Sequence, residues 1–271
     1  MDIKLSIIIV SWNTAEITEK CVKTINQYLP KSEIIVVDNG STDNTVKILS
    51  QIKNVKIIEN NANLGFAKAN NIGLKEATSE YIVFMNSDIE LLDSTILDMV
   101  HYLKNNSHIG IIGPKFLNPD LTPQASVFPP QTAINAFKEF WLKQKAFSKY
   151  IPQSNQPLKV SFISGGCLAV KKDFFKSIGS WNEKYFFYFE DMDLCRQVNR
   201  SGKDVFFYPL SKVIHRHGAS GKNLASTQNQ WRRLIPSSKK FHGLFKHYLI
   251  NFIIWSGQKW QKLTTLKYET K

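Results

Sequence analysis

The segment "YFFYFEDMDLC" (185–195) runs five aromatic residues into three acids, Glu190, Asp191 and Asp193. Acids that open a helix are stabilised as anions by its dipole, so N-terminal capping accounts for at least one of them. The aromatic neighbours alter the chemistry of the other two, because apolar surface raises a carboxyl's proton affinity and suits it to general-base work. Two further acids end apolar runs, Asp38 in "VVDNGSTD" and Asp88 in "FMNSD". An acid there is placed to hold a divalent cation against phosphates, since Mg2+ and Mn2+ take carboxylate oxygens and leave positions for a diphosphate. Asp38 has two readings: an acceptor for ribose hydroxyls or a ring N–H, or a helix cap beside the Asn39-Gly40 turn. His215 and His217 in "VIHRHGAS" share one face of a short strand, and an imidazole beside Asp88 would add a donor to a metal shell.

The elements that must position these residues alternate. "LSIIIV" (5–10), "EIIVVD" (33–38), "VKIIEN" (55–60) and "YIVFMN" (81–86) read as buried strands, with helical spacing between them over 14–29, 43–50 and 65–77 and another helix over 93–104. Continuous apolar strands separated by helices predict a parallel sheet covered on both faces. Ligands bind beyond the C-terminal ends of such strands. That rule selects "SWN" (11–13), "DNGSTD" (38–43), "NLGFAKANN" (63–71) and "NSD" (86–88). From Pro114 to Pro157 seven prolines degrade the pattern, and an amphipathic piece at 132–149 suggests one helix in a loop-rich connection. Order returns at "VSFISGGCLAVKK" (160–172), "KDVFFYP" (203–209) and "KVIHRHGAS" (212–220).

Composition bounds the class. The chain has 271 residues and is 43% hydrophobic, enough for a real core. The N-terminus "MDIKLSIIIVSWN" reads as a first strand and not as a signal peptide. "YLINFIIW" (248–255) is far short of the roughly 18 residues that cross a bilayer. Cys21, Cys167 and Cys195 fit no disulfide framework or zinc pattern, so a reduced, cytoplasmic setting is expected. The net charge is +13, and Trp231 to Lys271 carries nine Lys or Arg against one acid, Glu269. There Phe241, Leu244, Phe245, Tyr248, Phe252 and Trp255 recur at helical spacing, which predicts a basic amphipathic helix, packed on the domain or lying at a membrane surface. The aromatic stripe suits an interface better than a nucleic-acid duplex, and no nucleic-acid motif lies upstream.

The ordered blocks "VSWN", "VVDNGSTD", "NLGFAKANN", "FMNSD", "SGGCLAVKK", "FFYFEDMDLCRQVNRSGKDVFFYP" and "VIHRHGAS" resemble the family 2 glycosyltransferases with the GT-A fold. The likeness covers about residues 4–220 and is greatest to the rhamnosyl- and galactofuranosyltransferase branch of bacterial cell-surface polysaccharide synthesis. It implies an α/β GT-A domain over 1–220, with a nucleotide-binding half (1–113) and an acceptor and catalytic half (114–220), followed by a basic aromatic helical tail (221–271). It implies that Ser11, Asn13 and Asp38 surround the base and ribose, with Gly65 and Asn70 in the same pocket. Asp88 would bind the metal, Asn86 standing where the family's DxD motif has its first acid; His215 would be the metal-side histidine, ahead of His217. Asp191 would be the catalytic base, supported by Glu190, and Gly165, Gly166 and Trp181 would line the donor and acceptor pocket.

The implied reaction is an inverting, metal-dependent sugar transfer from a nucleotide-diphosphate donor, first dTDP-rhamnose, to a lipid-linked or cell-surface glycan. A UDP-hexose or UDP-galactofuranose transferase and a non-catalytic nucleotide-binding protein are the alternatives. The implied cofactor is Mn2+ or Mg2+, and the implied location is the cytoplasm, peripheral on the inner face of the membrane, with no nucleic-acid partner.

Overall fold

The structure, a computed structural model, describes residues 3–216 and 230–269. The chain opens with β1 (Leu5–Ser11), α1 (Ala15–Tyr28), β2 (Glu33–Asp38), α2 (Thr45–Leu49), β3 (Val55–Glu59), α3 (Phe66–Glu76) and β4 (Tyr81–Asn86). A short β5 (Ile89–Leu91) and α4 (Thr95–Asn105) lead to β6 (Ile109–Leu117). The proline-rich connection carries β7 (Pro123–Gln124), β8 (Val127–Phe128) and α5 (Ala133–Phe140). Then follow β9 (Leu158–Val160), β10 (Phe162–Ile163), β11 (Cys167–Lys171), α6 (Lys172–Ser177), α7 (Glu190–Arg200), β12 (Asp204–His215), α8 (Gln230–His242) and α9 (Leu244–Glu269).

The main sheet runs β3-β2-β1-β4-β11-β6-β12-β5. Its first four strands are parallel, as the alternation predicts. β11 enters antiparallel between β4 and β6, so the second half of the sheet is mixed. Strand alternation sends Ile7 and Ile9 into one core layer and Ile8 into the other. The first layer packs α1, α2 and α4 residues against the sheet; the second packs α3, α6 and α7. Both faces are thereby covered, which is why β1 and β4 read as unbroken apolar runs.

Two segments differ from the sequence expectation. The segments expected separately at 203–209 and from 212 form one strand, β12, with a register shift between Tyr208 and Lys212. The tail is two helices, broken at Gly243, whose φ of +77° suits glycine. The expected boundary at 220/221, and His217, lie outside the described residues.

Candidate active site

Strand pairing builds one corner of the site. β5 pairs antiparallel with β12, placing His215 opposite Ile89, and Arg216 N–H donates to Asp88 O at 3.0 Å. Asp88, just past β4, and His215, at the end of β12, are both buried, and His215 Nε2 lies 3.5 Å from Asp88 Oδ1. The Phe116 ring packs 5.1 Å from the imidazole. Glu90, two residues on, is occupied by Arg216 and Lys20 and faces elsewhere. Among the described residues no group of three or more His, Cys, Asp or Glu converges as a metal cage. One carboxylate and one imidazole therefore fit a hard divalent cation that takes most of its ligands from a diphosphate and water, and do not fit structural zinc.

The opposite corner is the start of α7. Asp191 Oδ1 accepts from Met192 N–H at 2.8 Å and Oδ2 from Gly165 N–H at 3.1 Å. Glu190 is 7% exposed, and its Oε2 has no hydrogen-bond partner among the described residues. Burial first, and the Asp191 charge second, push the Glu190 carboxyl up to about 8. Burial also raises Asp191, but the Lys149 ammonium and the Gly165 and Met192 N–H groups favour its anion. The Asp191 charge thus favours the proton on Glu190, and the Lys149 and backbone N–H partners favour the anion of Asp191. The third acid, Asp193, serves the framework: its oxygens accept from Asn182 Nδ2 at 2.9 Å, Gln197 Nε2 at 2.9 Å and the Arg196 guanidinium.

The aromatic run before α7 forms a wall. Tyr188 and Phe189 both take positive φ, +69° and +68°, which bulky side chains seldom adopt. Neighbours on both sides hold the wall in place. Phe186 O accepts from Phe66 N–H at 3.1 Å, and Phe187 O accepts from Ser237 Oγ of α8 at 2.9 Å. Phe241 packs 5.3 Å from the Phe189 ring, and Arg196 lies 4.3 Å over Phe241 while donating to its carbonyl. The first helix of the tail is thus part of the site's support.

These two corners face one cavity of about 380 Å3, lined by Asp88, His215, Glu190, Asp191, Gly165 and Gly166. Gly165 has to be small: an added Cβ would sit 3.1 Å from Asp191 Cβ and 3.4 Å from the Trp181 ring. Trp181 itself does not line the cavity. It is 1% exposed behind Gly165, among Phe66, Phe84 and Phe175. Burying an indole of this kind removes on the order of 200 Å2 from water, about 5 kcal/mol, so Trp181 is a packing anchor.

Of the residues expected around the nucleotide, Gly65 lines the cavity. Its φ is +84°, and a Cβ there would come within 2.6 Å of Phe186 O, which only glycine avoids. Asp38 instead accepts from Ser41 N–H at 2.8 Å and from Ser41 Oγ, closing the turn after β2. Ser11 points into a buried hydroxyl cluster with Thr14 and Thr18. Asn13 holds Thr42 N–H at 2.7 Å, and Asn70 donates back to Phe66 O in its own helix.

The chain matches the family model described as glycosyl transferase family 2 over residues 6–179. It belongs to that family. An N-acetylglucosaminyl-diphospho-decaprenol L-rhamnosyltransferase of Mycobacterium tuberculosis is 26% identical over 213 residues, covering 71% of this chain and 69% of the relative. The dTDP-rhamnosyl transferase RfbF of Shigella flexneri is 27% identical over 188 residues, 68% of this chain and 60% of the relative. Among solved structures, GalNAc-T7 with UDP, GalNAc and Mn2+ superposes with a TM-score of 0.62 at 17% identity, covering 79% of this chain and 44% of the other. The mannosyltransferase PcManGT from Pyrobaculum calidifontis, in complex with GDP-Man and Mn2+, gives 0.60 at 17%, covering 90% and 63%. The family and the fold make this protein a glycosyltransferase of the GT-A kind.

Four residues of this family 2 site were not singled out by sequence reasoning, three of them inside segments that the strand-end rule selects. Trp12, between the two expected residues of "SWN", lines the cavity; strand alternation is the signal that would have found it. Asn39 and Asn63 also line it, joined by a hydrogen bond of 2.9 Å. Lys149 comes from the proline-rich connection, where no pattern marks it. Tyr150 bridges to Val127, and Ser126 O accepts from Ser164 N–H at 2.8 Å, so β8 hangs Lys149 and Gly165 from adjacent points. The Lys149 ammonium lies 4.7 Å over the Phe128 ring.

Proposed function

We propose that this glycosyltransferase moves a sugar from a nucleotide-diphosphate donor, first dTDP-rhamnose, to a hydroxyl of a lipid-linked or growing cell-surface glycan, with inversion at the anomeric carbon. The observation that carries the reading is the shared cavity: Asp88 and Asp191, 103 positions apart in the sequence, line the same 380 Å3 space. Asp191 takes the proton of the acceptor hydroxyl. The acceptor oxygen bonds to the anomeric carbon as the bond from that carbon to the diphosphate breaks, and the leaving nucleotide keeps the electron pair. Glu190, neutral beside it, adds no competing charge. Gly165 and Gly166 line the cavity, where their backbone faces the space a sugar would enter. Trp12 offers a face for the base, and Asp88 and His215 would hold Mn2+ or Mg2+. When bound, such an ion neutralises charge growing on the leaving diphosphate.

The rhamnosyltransferase relatives favour dTDP-rhamnose; UDP-hexose and UDP-galactofuranose are the second choice. A non-catalytic nucleotide-binding protein would not need a buried acid pair, Glu190 and Asp191, facing the same cavity as Asp88. The lipid-linked acceptor brings the protein to a membrane surface from the cytoplasm, as a peripheral protein; no helix among the described residues is long and apolar enough to cross one. A thermal-shift panel of dTDP, UDP and GDP sugars, with and without Mn2+, tests the donor. Selective stabilisation by dTDP-rhamnose with Mn2+, lost in Asp88→Ala, is the expected result; equal response to all three nucleotides overturns the donor choice.

A further inference from the structure

We propose that Gln124 is a positioning residue for the cation site, its side-chain amide holding His215 as the tautomer whose Nε2 lone pair faces Asp88. The inference rests on the reading of Asp88 and His215 as cation ligands and assigns a role to a residue outside every motif block of the sequence. Gln124 sits on β7, held by pairing with Phe116 of β6. Its amide makes three contacts. Nε2 donates to His215 O at 3.0 Å and to Asn118 Oδ1 at 2.8 Å. Oε1 lies 2.6 Å from His215 Nδ1.

The orientation of that amide follows from its partners. A backbone carbonyl only accepts. Asn118 is oriented in turn, because its Nδ2 donates to Thr122 Oγ1 at 2.9 Å while Thr122 Oγ1 donates to Asp120 Oδ1 at 2.6 Å. Both Gln124 N–H groups are therefore directed at oxygens. Flipping the amide would set oxygen against oxygen at two contacts. Oε1, an acceptor, must then face an N–H, so Nδ1 carries the hydrogen. In the neutral imidazole Nε2 is the bare nitrogen.

This arrangement has a chemical consequence 3.5 Å away, at Asp88 Oδ1. The alternative tautomer would present Nε2–H to that carboxylate and close a histidine–aspartate hydrogen bond. A pair satisfied in that way competes with a metal ion for both groups. In the neutral ring Gln124 disfavours it and turns the Nε2 lone pair toward Asp88, the side on which the two would share a divalent cation. Outer partners of metal-ligating histidines act in this way, fixing ring orientation and tautomer.

The test uses the full chain at pH 8. Long-range 1H–15N correlation of 15N-histidine-labelled protein reads the tautomer without metal, and calorimetry reads Mn2+ affinity in the presence of uridine diphosphate. The native protein should show His215 with hydrogen on Nδ1. Gln124→Leu should move it to Nε2 and weaken Mn2+ binding about 10–100-fold. Gln124→Glu keeps an acceptor opposite Nδ1 but sets its second oxygen against His215 O and Asn118 Oδ1; it should lower Tm as Gln124→Leu does and still keep the native tautomer, which separates this role from a loss of packing. A native Nε2–H tautomer, or a folded Gln124→Leu with unchanged Mn2+ affinity, overturns the proposal. His215→Ala separates the two levels. If it leaves Mn2+ affinity intact, the ligand reading itself falls and this inference with it. If it weakens binding while Gln124→Leu does not, only the role of Gln124 falls.

Discussion

Gly165 N–H donates to Asp191 Oδ2 at 3.1 Å, tying the proposed base on α7 to the loop before β11. That loop is continuous with the central sheet, so the carboxylate is positioned by the scaffold and not by α7 alone. The second oxygen is held by Met192 N–H at 2.8 Å. Two backbone donors fix the carboxylate plane and favour its charged form in a buried setting.

Asp191→Asn keeps the shape and an oxygen for one backbone donor but removes proton acceptance. General-base assistance is worth about 10²–10⁴ in rate, so turnover should fall by that factor. Nucleotide-diphosphate affinity should be retained, because in the proposed arrangement that ligand binds toward Asp88. Steady-state kinetics with calorimetry checks both, and undiminished turnover removes Asp191 from the mechanism.

Lys149 sets where that base titrates. The groups around Asp191 are Glu190 and Cys195 on its own helix and Lys149 from the connection, with Asp88 and His215 lining the same cavity. Lys149 lowers the proton affinity of Asp191, against burial. Lys149→Met should therefore move the acid limb of kcat/KM upward, losing more activity at pH 6 than at pH 8. Lys149→Arg should restore the limb. A large rise in donor KM with no movement of the limb would assign Lys149 to the diphosphate.

The parallel half of the sheet was legible because its strands are buried on both faces, and the strand-end rule led to Asp88 and Gly65. Asp191 and Glu190 were legible because acids follow an aromatic wall at the start of a helix. Gln124 and Lys149 were hidden for a physical reason. Both lie in the proline-rich connection, where side chains reach the site through β7–β6 pairing and the Val127–Tyr150 bridge, long-range contacts that leave no local periodicity. Trp181 shows the converse, a residue near the motifs in sequence whose place in space is the core behind Gly165. The antiparallel entry of β11 was likewise invisible, since an apolar strand carries no mark of its direction.

Glu190 makes stability depend on pH. Its folded-state value, about 8, lies above the ordinary 4.5, so the folded protein keeps a proton that the unfolded chain releases. The contribution is complete below about pH 4.5 and declines as pH rises through 8. Glu190→Gln is neutral at every pH. Its Tm should exceed that of the native protein at pH 8.5 and match it at pH 5. Parallel Tm profiles for the two proteins would show that Glu190 is already ionised in the fold.

The last prediction concerns the face formed by α9 and α5. α9 is anchored: Trp260 stacks on Trp141 at 5.9 Å, and Gln261 Nε2 donates to Phe140 O at 2.8 Å. Yet Phe245 is 80% exposed, Phe252 61%, Trp255 58% and Ile134 of α5 69%. Helical spacing therefore gives both packing and an uncovered apolar surface, with Lys246, Lys259 and Lys262 among these residues and no acid between Leu244 and Leu263. Large exposed apolar patches mark interaction surfaces, and each lysine near an anionic bilayer adds about 1 kcal/mol. Phosphatidylglycerol vesicles should sediment the protein and phosphatidylcholine vesicles should not. Phe252→Ser with Trp255→Ser should weaken that binding at least tenfold, an effect of about 1.4 kcal/mol, with Tm unchanged. Removing the whole tail is a poorer test, because α8 holds Phe187 and Phe189 and its loss would disturb the cavity wall. If the double variant binds anionic vesicles as the native protein does, this face is not the one that meets the membrane.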